Sequence, residues 1–244
     1  MTDPLLARAP RLRGARALFT GRAGGVSRGD HAGLNLARHV GDDEADVERN
    51  RALLAAEIGA PPVFVTQVHS ARVQVLPPHG PVPAATADAQ VTDRRDVALA
   101  IMVADCLPVL LSDPVTGTVA VAHAGRQGLL GGVLQNTVAA MADFGARPAD
   151  LTASIGPSIC GACYEVPAPM REEASAQLPA TRAVTRWGTP ALDLRAGAVA
   201  VLQEAGIAAE AIDAEHPCTL EDERFYSYRR QARTGRFAGV IRRA

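Results

Sequence analysis

The chain has 244 residues, 48% of them hydrophobic, with 22 Gly and 17 Pro; that composition builds one large or two small globular units and excludes a disordered or fibrous chain. Arg and Lys number 25 against 26 Asp and Glu, a formal charge of -1, so no basic field draws nucleic acid and no such partner is expected. Every basic residue is Arg, which excludes the Schiff-base, pyridoxal, P-loop and kinase chemistries that need a lysine.

Residues 1–17 read as an arm, with Arg8, Arg11, Arg13 and Arg16 against the single acid Asp3. A strand through Leu18 and Phe19 leads into GRAGGVSRG, where glycines let the backbone turn sharply and approach a ligand. Asp42 and Asp43 supply N-cap chemistry for a helix from Asp43 to Ile58, with Val47, Leu54 and Ile58 at helical spacing and Gly59 as C-terminal cap. VFVTQVH and RVQVL alternate as strands do, predicting a hairpin with Gln67 and His69 near its tip. After a loop over Pro77–Ala87 come three apolar runs, VALAIMV, LPVLL and TVAVAHA, whose length and bounding turn residues predict buried strands.

The third run feeds GRQGLLGG and a helix whose stripe is Val133, Leu134, Val138 and Met141, closed by Gly145. Thr152–Ile155 reads as a strand and GPSICGACYEV as a tight loop. A helix with Met170 and Leu178, a connector holding Trp187, and a helix over Leu194–Ala205 follow. FYSYRRQARTGRFAGVI predicts two strands around Thr234 and Gly235. Strands and helices mix without a βαβ rhythm, so the expected domain, 18–244, is α+β with mixed sheets faced by helices. Four scattered cysteines do not make a secreted disulfide framework, and the first thirty residues hold no apolar leader core, so a reducing cytoplasm is expected. The longest apolar run, Val97–Ala104, falls far short of the roughly 20 residues that span a bilayer, so no membrane partner is expected.

Three soft ligands stand at predicted strand ends: His69, Cys106 and His123. Two imidazoles and a thiolate are a zinc donor set, and three protein ligands leave a fourth position open, as in catalytic rather than structural sites. Cys160 and Cys163, spaced CxxC, with His216 and Cys218 make a rival set of the closed Cys3His type. Cys106 with His123 also reads as a nucleophile and base. Arg22, Arg126, Arg229 and Arg230 are candidates for bidentate anion binding, and Asp88 and Asp105 for orienting an imidazole or a hydroxyl.

Taken in order, GRAGGVS with LNL, TQVH, ADAQVTD, MVADCLPVLL, VAVAHAG, IGPSICGACYEV, DLRAG, and CT followed by FYSYRR and TGRFAGVI resemble nearly the whole length of the laccase-domain or YfiH-like family, also known as multicopper polyphenol oxidases and peptidoglycan editing factors. The resemblance implies a single α+β domain, a mixed-sheet β-sandwich with flanking helices. It also implies a zinc ion, favoured over copper, held by His69, Cys106 and His123. The implied activity is phosphorolysis of adenosine, inosine, guanosine and methylthioadenosine, with adenosine deamination, so purine nucleosides and phosphate are the implied partners of a monomer. Arg22, Asn35, Asp88, Arg126 and Arg229 fall in its motifs as substrate-binding candidates, while Cys163 lies in the CYEV element, read as structural. One departure is local: where the family reads HAGWRG this chain reads HAGRQG, so Arg126 replaces the aromatic and Gln127 the guanidinium. Two outcomes are open there: Arg126 reaches the anion from one position earlier, or phosphate affinity is lost while metal-water chemistry survives. Competing classes are a cysteine or zinc amidohydrolase acting on peptidoglycan precursors, a copper polyphenol oxidase, and a non-catalytic binding module. With six histidines and no HxH pair, the chain is poor in multicopper ligands.

Overall fold

In the computed structural model, which describes residues 6–8, 10 and 12–244, chain order runs β1 (Leu6–Arg8), β2 (Ala15–Thr20), α1 (Glu44–Ile58), β3 (Pro62–Val63) and β4 (Val73–Val75). Then come β5 (Ala89–Thr92), β6 (Ala98–Val103), β7 (Leu107–Ser112), β8 (Val119–Ala124), α2 (Arg126–Leu130), α3 (Val133–Ala142) and β9 (Thr152–Ile155). The last third holds α4 (Ala168–Gln177), β10 (Arg182–Val184), β11 (Pro190–Leu192), α5 (Leu194–Glu204), β12 (Ile212–Asp213) and β13 (Phe237–Arg243). One sheet has the order β1-β2-β13-β6-β3, the other β12-β9-β7-β8-β5-β4, and β10-β11 is a separate hairpin. The α+β sandwich of mixed sheets is therefore as expected, with parallel pairs at β3–β6, β4–β5 and β12–β9 and antiparallel pairs elsewhere.

The three apolar runs are strands buried along their whole length, and alternation of side chains explains why they carry no polar face. In β6, Leu99, Ile101 and Val103 point between the sheets, where they meet Phe19, Leu110, Val121 and Ile241. Ala98, Ala100 and Met102 point the other way, onto Leu54 and Ile58 of α1. In β8, Val119 and Val121 face between the sheets while Ala120, Ala122 and Ala124 pack on α3 and α5 through Leu134, Val138 and Leu202. The layers are thus helix, sheet, sheet, helix, and each fully buried large aliphatic side chain contributes roughly 1.5–3 kcal/mol. Short loops suffice because β6 and β7 belong to different sheets and are joined only by residues 104–106.

Local rules hold at α1: Asp43 accepts hydrogen bonds from Ala45 N and Asp46 N, and Gly59 ends the helix at φ 77°. Gly33, at φ 109°, lies so close to the Arg22 carbonyl that a side chain has no room, which closes the glycine-rich loop on itself through Ser27 and Gly33.

Several expectations need correction. VFVTQVH and RVQVL are not a hairpin: β3 joins one sheet and β4 the other, so the polar residues between them cross the sandwich. The C-terminal segment gives one strand, β13; Phe225 and Tyr226 instead bury their rings between the sheets from a turn. The arm expected over 1–17 is strand in part, since β2 starts at Ala15 and Leu6–Arg8 pair with it; the side chains of Arg8 and Arg11 lie outside the described residues. Trp187 sits in the turn between β10 and β11, 59% exposed.

Candidate functional site

His69, Cys106 and His123 arrive at one point by three different routes. His123 is on β8 with the parity of Val119 and Val121, so its ring turns toward the gap between the sheets, where the strand ends. Cys106 is the last residue of the link that carries the chain from β6 to β7, and Asp105 before it holds a φ of 96°. His69 lies on the crossing segment at φ 59°. Two non-glycine residues, His69 and Asp105, thus sit in the left-handed region, where a side chain costs of order 1–3 kcal/mol and needs support from its surroundings.

That support is visible. Asp88, fully buried, accepts hydrogen bonds from Val68 N (3.2 Å), His69 N (2.9 Å), Ser70 N (2.6 Å) and Ser70 Oγ (2.7 Å). Gln67 donates to Met102 O at 2.8 Å and accepts from Met102 N at 2.9 Å, pinning the crossing segment to β6. Asp105 accepts from Thr219 Oγ1 at 2.6 Å and from Arg229 N at 2.7 Å, while Ile159 N donates to its carbonyl at 3.0 Å.

The donor atoms of His69, Cys106 and His123 all lie within 4.8 Å of one another. Cys106 Sγ is 3.7 Å from His69 Nε2, and the two imidazoles meet edge to face with centroids 4.6 Å apart. His123 Nδ1 bonds Asp88 Oδ1 at 2.9 Å, which leaves Nε2 as its outward lone pair. Burial would raise the Cys106 thiol, but the His123 and His69 rings outweigh it and bring it down to about 6. Burial would lower His123, and the Cys106 and Asp88 charges lift it to about 9 instead. The Asp88 carboxyl, despite its burial, is held well below the ordinary carboxylate range by His123 and Ser70.

Gly125 packs against two of the three donors: a Cβ placed there would stand 2.7 Å from His69 Cδ2 and 3.0 Å from Cys106 Sγ, so the Gly of the HAG motif lets both side chains sit where they do. Two imidazoles and a thiolate so grouped fit a borderline-soft divalent ion such as zinc, with a fourth position left for a small molecule. The site opens on a cavity of about 440 Å³, in the size range of small-ligand pockets. Its wall is aromatic and cationic: Tyr164, Tyr228, Arg229, Arg236 and a His39 whose pKa burial, Arg236 and Arg51 push down.

Of the candidate substrate residues, Arg229 lines the cavity, its guanidinium 5.2 Å over the Tyr164 ring and bonded to Glu165 O at 2.9 Å. Arg126 opens α2, near enough to Tyr164 for its charge to work against the burial that pushes that hydroxyl up. Asp88 lies behind His123. Asn35 is buried, donating to Ala37 O and Asp42 Oδ2 and accepting from Ala37 N and Arg236 N, so it reaches the cavity only through the Arg236 backbone. Arg22 is not brought there: it donates to Ala32 O at 3.4 Å and lies over the Tyr226 ring. Arg230 is committed to the carbonyls of Thr219, Leu220 and Phe225. No local pattern pointed to His39 or Arg236; the aromatic and basic alternation of FYSYRR was the one signal available for Tyr228.

The rival set divides. Cys160, Cys163 and Cys218 do converge, but with Glu221 rather than His216; His216 Nδ1 faces Arg195 Nη2 at 2.9 Å and Pro217 O at 3.1 Å. Among the described residues, no helix is long and apolar enough to cross a membrane.

Residues 16–244 match the family model described as multi-copper polyphenol oxidoreductase laccase. The chain is 48% identical over 235 residues to a protein of Streptomyces coelicolor named purine nucleoside phosphorylase, covering 94% of this chain and 96% of that one. Among solved structures, a Neisseria meningitidis protein superposes with a TM-score of 0.82 at 38% identity, covering 96% of this chain and 95% of its own. YlmD from Geobacillus stearothermophilus superposes with a TM-score of 0.86 at 31% identity, covering 99% of both.

Proposed function

The chain belongs to the multi-copper polyphenol oxidoreductase laccase family, and from that premise we propose that it is a zinc-dependent purine nucleoside phosphorylase that also deaminates adenosine. The observation that carries the proposal is the convergence of His69, Cys106 and His123 on the wall of a cavity that Tyr164, Tyr228, Arg229 and Arg236 also line. The name borne by the Streptomyces coelicolor relative supports the choice of nucleosides among the ligands that such a cavity fits.

Tyr164 and Tyr228 offer ring faces on which a purine can lie. Arg229 and Arg236 at the wall, with Arg126 against Tyr164, supply guanidiniums suited to a phosphate. In phosphorolysis a phosphate oxygen bonds to the ribose anomeric carbon as the bond to the purine nitrogen breaks, and the base takes up a proton. The protein's part is to hold phosphate and nucleoside in line, which is a positioning effect. Bound at the triad, zinc supplies Lewis acidity and a hydroxide equivalent at neutral pH, the nucleophile that deamination at the purine C6 requires. Asp88 orients His123 for this, and Asp105 fixes the Arg229 backbone beside Cys106.

The test is product analysis of purified protein with adenosine and with inosine, with and without phosphate. Free base appearing only with phosphate, and inosine appearing from adenosine, are expected. No base and no inosine in zinc-replete buffer overturns the proposal. The Cys106 thiol, brought low by two imidazoles, favours a second reading as a cysteine amidohydrolase; stoichiometric alkylation of Cys106 in metal-loaded, active protein would select it.

A further inference from the structure

We propose that Cys160, Cys163, Cys218 and Glu221 form a second, structural cation site, for a thiophilic divalent ion such as zinc, which ties two loops together behind the cavity. It shares no residue with the first site, and its four donors also lie within 4.8 Å of one another. Zinc–sulfur bonds of about 2.3 Å in a tetrahedron need sulfurs about 3.8 Å apart, so no pair of these sulfurs has to close by more than about 1 Å.

The backbone already has the form of such a site. Cys163 N and Tyr164 N both donate to Cys160 O at 2.9 Å, a turn that brings the two CxxC thiols together. Cys160 N points at Cys218 Sγ at 3.4 Å, an N–H···S contact of the kind that stabilises a thiolate ligand. Glu221 N donates to Cys218 O at 3.1 Å, turning the carboxylate back over Cys218. Arg186 donates to Cys163 Sγ at 2.9 Å and pairs with Glu221 at 2.6 Å. Three thiolates and a carboxylate exceed the charge of one divalent ion by two, and the guanidinium offsets one of these. All four cysteines of the chain are free thiols, so no disulfide competes.

Four protein donors close the coordination sphere, which makes the site structural. Its position gives it a purpose. The loop of Cys160 and Cys163 carries Ile159 and Tyr164, and the loop of Cys218 carries Thr219; Ile159 and Thr219 both bond Asp105, next to Cys106. A cation joining the loops fixes the wall from which Tyr164 faces the cavity.

Cobalt(II) is the probe, added to reduced, metal-free, full-length protein. The Cys106→Ser variant is expected to bind one cobalt with strong sulfur-to-cobalt charge-transfer absorption and intense tetrahedral visible bands. The Cys160→Ser, Cys218→Ser double variant is expected to lose those bands and retain one cobalt of weaker charge-transfer intensity. Should the double variant fail to fold, Cys160→Ala alone must lower the charge-transfer intensity of the Cys106→Ser background by about a third. Absence of sulfur-to-cobalt absorption in the Cys106→Ser protein, with its remaining thiols freely reactive, overturns the proposal. A nucleoside assay that fails while these bands appear leaves the second site standing and removes only the proposed activity.

Discussion

His123 Nδ1 and Asp88 Oδ1 stand 2.9 Å apart with the two side chains 4% and 0% exposed, and the same carboxylate holds the backbone of His69. One buried residue therefore positions two of the three donors. Replacing it with an amide removes the charge that fixes the His123 tautomer and turns two of its lone-pair sites into donors facing N–H groups. Asp88→Asn is expected to weaken zinc binding about 10–100-fold and to cost roughly 3–5 kcal/mol of stability. Chelator competition and urea unfolding measure the two; unchanged zinc affinity would contradict the positioning role.

Gly125 has an ordinary φ of −72° at the start of α2, so alanine strains no backbone there. Its Cβ nonetheless runs into the side chains of His69 and Cys106. Gly125→Ala should melt close to the parent temperature yet lose bound zinc and fall about 10²-fold in nucleoside turnover, as a displaced constellation does. Metal analysis of the purified variant decides it: full zinc occupancy would refute the packing argument.

Arg126 carries the charge that the motif departure moved by one position, and that charge acts on Tyr164 of the cavity wall. If it meets the phosphate, Arg126→Ala removes a charge-assisted bond of roughly 1.5–3 kcal/mol. The phosphate KM for inosine cleavage should then rise about tenfold or more, with adenosine deamination little changed. An unaltered phosphate dependence rejects that role.

Asp42 gives a pH prediction away from the metal. Burial would raise its carboxyl, but bonds from Ser27 Oγ at 2.6 Å, Asn35 Nδ2 at 2.8 Å and Asp43 N at 2.9 Å hold it below its usual value. A carboxylate depressed in the folded state stabilises it above the unfolded pKa of about 3.9 and loses that contribution as pH falls through the folded value. Between pH 7 and 3, parent protein should lose urea stability more steeply than Asp42→Asn. Parallel curves would show that Asp42 does not carry this dependence.

The strands β6, β7 and β8 were legible because apolar runs of five to seven residues bounded by turn residues have few other solutions in a chain this size. The helix α1 was legible from its cap and stripe, since Asp43, Leu54, Ile58 and Gly59 act over a few residues. The His69–Cys106–His123 triad was readable only weakly from donor chemistry, and strongly from the order of motifs around it. His39 and Arg236 were not readable, because each enters the cavity through long-range packing; Arg236, for instance, is set by its backbone bond to Asn35, two hundred and one positions away.

Composition and local pattern by themselves determined a lysine-free chemistry, an α+β chain, most of its strands and helices, and which residue types were able to bind a metal, because these depend on neighbours a few positions apart. Only the tertiary structure decided which sheet each strand joins. It separated VFVTQVH from RVQVL, and put Cys106 on the link between sheets. It also placed Glu221, rather than His216, beside Cys160, Cys163 and Cys218. Those choices follow from burying both faces of each sheet at once, a condition that the whole chain satisfies together and no short segment encodes.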